Sequence, residues 1–138
     1  HPEHTQIPER KARFAFVLPA LSANAGTREQ AFERFRQVEN RRREPWVLES
    51  LAYLNHPLRE THARRFVRPA LELLREIQRT GDIFFPSRWM VATLTGHRSP
   101  EVAETVREFL AGELLYPQRL RWTILSAADE LFRVTEAP

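Results

Sequence analysis

Ten prolines and four glycines punctuate this 138-residue chain. The prolines tend to open segments of helical apolar periodicity and the glycines tend to close them, which describes helices in series. With 42% hydrophobic residues the chain can bury one ordinary core, so a single helical domain spanning 1–138 is expected.

Each segment carries its own start signal. Pro8 and Glu9 suit a first helical turn, and Phe14, Val17, Leu18 and Leu21 share one face, with Pro19 expected to kink or end that helix. Thr27 and Gln30 have the spacing of a capping box, and Arg41, Arg42 and Arg43 suit the negative end of the helix that follows. Pro45 opens a helix carrying Trp46, Leu48, Leu51 and Leu54.

Pro57 opens the longest periodic run, through Phe66, Ala70, Leu73, Leu74 and Ile77 to Gly81. Pro69 inside that run predicts a kink or two consecutive helices. Asp82 to Phe85 is an apolar connector, with a strand at 83–85 as the alternative, before a short helix from Pro86 to Gly96. Ser99, Pro100 and Glu101 then combine a capping hydroxyl, a proline at the first helical position and an acid at the positive dipole end. The last helix starts near Pro117, and loose termini are expected at 1–7 and 134–138.

The predicted fold is all-α. Short links favour antiparallel neighbours, and the faint repeat of proline-then-aromatic openings at Pro45-Trp46, Pro86 to Trp89 and Pro117 to Trp122 points to stacked helix pairs. A small α–α superhelix of the HEAT or armadillo kind is therefore expected rather than a four-helix bundle.

Chemistry is sparse. The chain has no cysteine, which removes thiolate catalysis and cysteine-zinc sites. No H-E-x-x-H occurs, and His1, His4, His56 and His62 read as surface or capping residues, so no metal ligand and no catalytic residue is assigned. Ser22, Ser50, Ser87, Ser99 and Ser126 have no readable base partner, and carboxylate neighbours such as Glu101 with Glu104 fit solvated helix faces. The net charge of +3 is modest, and no nucleic-acid partner is expected. No apolar run approaches the roughly 18 residues of a membrane span, so membrane insertion is not expected. The chain begins at His1 without a readable targeting segment and reads as a fragment, leaving localisation open.

The stretch Asp82-Ile-Phe-Phe-Pro-Ser-Arg-Trp-Met-Val-Ala-Thr-Leu-Thr-Gly-His-Arg-Ser-Pro100 resembles the C-terminal helical domain of bacterial gluzincin aminopeptidases, the thermolysin-like zinc exopeptidases. So do Glu44-Pro-Trp-Val-Leu-Glu-Ser-Leu51 and Pro69-Ala-Leu-Glu-Leu-Leu-Arg-Glu-Ile-Gln-Arg-Thr-Gly81 upstream, and Tyr116-Pro117 through Leu131-Phe-Arg133 downstream. The resemblance implies a parent protein whose separate catalytic domain holds zinc, with this domain packed over the cleft and shaping access for peptide substrates. It implies no cofactor in these residues. Arg88, Trp89 and His97, beside the apolar connector, are the substrate-cavity candidates. The alternative is a stand-alone helical-repeat module binding protein or nucleic acid.

Overall fold

The computed structural model describes residues 2–136, with side chains described from residue 6 onward. Among the described residues the fold is all-α, with seven α-helices and no strand. They are α1 (Pro2–Leu21), α2 (Ala25–Arg34), α3 (Glu44–Leu54), α4 (Glu60–Thr80), α5 (Phe85–Leu94), α6 (Pro100–Gly112) and α7 (Gln118–Thr135). Short 3-10 turns at Val38–Arg41 and Pro57–Arg59 precede α3 and α4.

Several boundaries differ from the sequence expectation. Of the ends expected to be loose, 2–7 and 134–135 are helical, while residue 1 and residues 137–138 lie outside the described residues. Pro8 and Pro19 both sit inside α1. Each loses one backbone bond, and 6–15 are exposed, so water can satisfy a freed carbonyl there. The cap of α2 is Asn24, whose Oδ1 accepts from the Thr27 amide at 2.9 Å; Thr27 therefore lies inside the helix. The expected capping of α6 is present, with Ser99 Oγ accepting from the Val102 amide at 3.2 Å.

Helix α4 is one unbroken helix across Pro69. Ala63, Phe66 and Val67 before the proline and Ala70, Leu71, Leu74 and Ile77 after it are all buried. A break would rotate half of that stripe out of the core, and each large side chain re-exposed costs about 1.5–3 kcal/mol. One missing hydrogen bond, with a proline penalty of about 3 kcal/mol, does not outweigh that loss. The connector after Gly81 is a turn rather than a strand, held by Asp82 Oδ1 accepting from the Phe84 amide at 2.9 Å.

The helices pack as two rows. Helix α1 contacts α3, α3 contacts α5 and α5 contacts α7, while α4 contacts α6 in the other row. Phe32 of α2 stacks on Phe66 of α4 at 5.1 Å between ring centroids, placing α2 at the start of that second row. Within each row the helices run parallel: Glu9 and Arg13 of α1 meet Arg43 and Glu49 at the start and middle of α3, and Arg64 of α4 meets Glu101 of α6. Consecutive helices cross between rows and are antiparallel, as where the Trp89 indole of α5 donates to the Ala70 carbonyl of α4 at 3.0 Å. The apolar core lies between the rows, where Leu51, Leu54, Leu71, Leu74, Trp89, Met90 and Ile124 are fully enclosed.

Candidate functional site

The three sequence candidates separate in space because α5 is amphipathic. Its inward face is Phe85, Trp89 and Met90; its outward face is Arg88, Val91 and Thr95. Trp89 is 0% exposed and meets Phe85 edge-on at 5.9 Å between ring centroids, so it is enclosed in the core. Its indole N–H and large apolar body were better suited to locking α5 onto α4 than to a solvent-facing role. Arg88 is exposed, and its guanidinium lies 5.3 Å from the centre of the Phe84 ring, not on its neighbour Trp89.

Arg88 lines a shallow cavity of about 310 Å³ between α3 and α5. Ala52, Val91 and Ala92 form its apolar walls, and Asn55, Pro57 and Gly96 close one end. The spacing of small residues explains the groove: Ala52 on one helix and Ala92 on the other leave room that longer side chains would fill.

His97 lies behind that closed end. It is 2% exposed, with Nε2 2.7 Å from Asn55 Oδ1 and Nδ1 3.5 Å from Glu60 Oε1. Burial holds the imidazole below its ordinary pKa, against the opposing pull of the Glu60 carboxylate. Glu60 is itself held below the usual carboxylate range, first by its hydrogen bonds from Arg64. His97 thus ties the ends of α3 and α5 to the start of α4 and supports the groove without entering it. The approach is close: a Cβ on Gly96 would stand 1.8 Å from the Asn55 carbonyl oxygen.

The arginines that sequence reading assigned to a helix-end surface are in part buried. Arg41 is 3% exposed, donates to the Phe35 carbonyl at 2.6 Å and pairs with Glu76 at 2.5 Å. Arg28 and Arg59 both donate to the Ser22 carbonyl at the end of α1, and Arg121 donates to Leu110 and Glu113 at the end of α6. A guanidinium fork is well matched to the open carbonyls of a helix C-terminus. The missed signal is positional: each of these arginines serves a turn six or more residues away in sequence, beyond any local pattern.

Among the described residues no group of three or more His, Asp or Glu is arranged to hold a metal ion. The histidine–carboxylate neighbours are pairs, His62 with Glu29 at 3.4 Å and His97 with Glu60. His56 caps the turn before α4, its Nδ1 accepting from the Leu58 amide at 3.1 Å. No described helix is long and apolar enough to cross a membrane. No family model matches this chain, and comparison with curated proteins and with solved structures returned no match.

Proposed function

We propose that this chain is a non-catalytic helical domain of a zinc aminopeptidase, packed against the catalytic domain of the same polypeptide and forming one wall of the peptide cleft. The α3–α5 groove carries the reading. It joins an apolar floor to a cation, Arg88, which lies in the segment 82–100 that resembles the gluzincin aminopeptidases. In this reading the two-row stack is a short α–α superhelix, and zinc belongs to the parent's catalytic domain.

The groove's chemistry suits the trailing part of a peptide. Apolar side chains pack on Ala52, Val91 and Ala92, and the planar guanidinium of Arg88 receives a carboxylate as two parallel hydrogen bonds. Trp89 and His97 act by holding α5 in place. The alternative of a nucleic-acid module is weakened because Arg28, Arg41, Arg59 and Arg121 serve helix ends.

The test is Arg88→Ala in the parent protein, assayed on matched tetrapeptides ending in a free carboxylate or an amide. KM for the acid is expected to rise about tenfold, equivalent to about 1.4 kcal/mol, while KM for the amide and turnover of a single aminoacyl anilide stay unchanged. Equal effects on acid and amide would remove the groove from the substrate path. Aminopeptidase activity in the 138-residue chain alone would overturn the non-catalytic assignment.

A further inference from the structure

An apolar flank without a described neighbour lies at one end of the first row. Ile7, Phe14, Leu18 and Leu21 are 53%, 58%, 48% and 43% exposed, and they fall on one flank of α1 at i, i+7, i+11 and i+14. The opposite flank is occupied: Phe16 packs on Trp46 at 5.6 Å, Arg13 pairs with Glu49, and Val17 and Ala20 are buried. Helices α3 and α5, inside the row, have a parallel neighbour on each side. Helix α1 has one on a single side, and its other side repeats the apolar character of the interior contacts.

We infer that this flank is the seam at which the domain joins the rest of its parent, and that the occupant is an amphipathic helix lying parallel to α1 with acidic residues beside its apolar stripe. The inference rests on the proposed function for the identity of the parent. Parallel orientation follows from continuity: α1 runs alongside α3 through Glu9–Arg43 and Arg13–Glu49, and α3 and α5 are joined at the same end through Asn55 and His97. The acidic flank follows from charge complementarity, because the exposed Arg10 and Lys11 stand on the two sides of the apolar stripe. Four large apolar side chains on one flank match the anchor spacing by which one helix seats on another.

Hydrogen exchange tests it in the parent and in the 138-residue chain. Amides of 14–21 are expected to exchange at least tenfold more slowly in the parent, while 104–108 in α6 exchange alike in both. Phe14→Asp with Leu18→Asp in the parent should return 14–21 to the fast rate and leave 104–108 unchanged, which separates a lost seam from unfolding. Equal exchange of 14–21 in the two proteins overturns the inference. So does self-association of the wild-type chain in sedimentation that the double substitution abolishes, which would make the occupant a second copy. Co-sedimentation of the 138-residue chain with phosphatidylglycerol vesicles, abolished by the same double substitution, would equally replace the helix by a lipid surface. Zinc content and peptidase activity of the same parent sample report on the proposed function separately, and their absence would leave a protected α1 intact.

Discussion

Nε2 of His97 and Oδ1 of Asn55 stand 2.7 Å apart inside the protein, joining the third residue beyond α5 to the residue just beyond α3. Asn55 also donates through Nδ2 to the Leu51 carbonyl at 3.0 Å, so its amide is fixed and the imidazole meets a pre-placed acceptor. Both side chains have partners, which is what makes a buried polar pair tolerable.

That pair gives stability a pH dependence. His97 is held below its ordinary value of 6.5, mainly by burial, so below that value the unfolded chain takes up a proton that the folded one resists. Stability is therefore full above about pH 6.5 and declines as pH falls toward the depressed native pKa. His62 is depressed in the same direction and by the same leading cause, and adds to the slope. Glu60 stays ionised in both states across this window; its own contribution is lost only at lower pH, below its ordinary 4.5. Urea denaturation between pH 5 and 7.5 should show the decline, and His97→Gln should flatten part of it. An unchanged slope in that variant would exclude His97 as the source.

Gly96→Ala is expected to be severely destabilising. The added methyl would sit 1.8 Å from the backbone oxygen of Asn55 and 3.3 Å from Pro57, and neither is the end of a flexible side chain. Relief requires moving the end of α3 away from α5, at a cost of about 3 kcal/mol or more in denaturant unfolding. Gly112→Ala, where an added Cβ meets nothing within 4 Å, is the control and should be neutral or stabilising.

Adjacent arginines should behave differently. Arg41→Ala removes a buried clamp on the Phe35 carbonyl and leaves Glu76 without its partner, at an expected cost of about 2–4 kcal/mol. Arg42→Ala, at an exposed position, should stay within about 0.5 kcal/mol. Arg41→Lys should recover only part, because an ammonium cannot reach both acceptors as a fork does.

Tyr116→Phe is expected to stabilise slightly. The phenol is buried, its hydroxyl has no hydrogen-bond partner among the described residues, and burial pushes its pKa up to about 12. Its ring meets Phe109 edge-on at 5.5 Å, a contact that phenylalanine keeps. Removing the unpaired hydroxyl should raise unfolding free energy by up to about 1 kcal/mol. A loss of similar size would mean the hydroxyl finds a partner in solution.

Local chemistry made much of this fold legible. The Ser99-Pro100-Glu101 start, the α3 opening at Glu44-Pro45 and the apolar stripe of α4 each depend on residues within a turn or two of one another, and each is present. What local reading missed depends on distance. Of the two outcomes expected at Pro69, a kink or two consecutive helices, the division does not occur, because the matching core on both sides keeps the helix whole. Thr27 had the right spacing for a cap, yet Asn24 three residues earlier holds that position and starts α2 sooner. At the candidate site the helical turn of about 100° per residue separates neighbours on α5: Arg88 lines the groove, while Trp89 is enclosed in the core. His97 was legible as an end-of-helix residue but not as a buried one, because Asn55 and Glu60 lie about forty residues upstream.

The shared use of Ser22 by Arg28 and Arg59 sets how the molecule comes apart. One guanidinium comes from α2 and the other from the turn ahead of α4, so the first bend of the chain is knotted to its neighbour and to the pair beyond. Heating should therefore not peel the leading helix away by itself. That corner and the beginning of the longest helix should melt as one cooperative block.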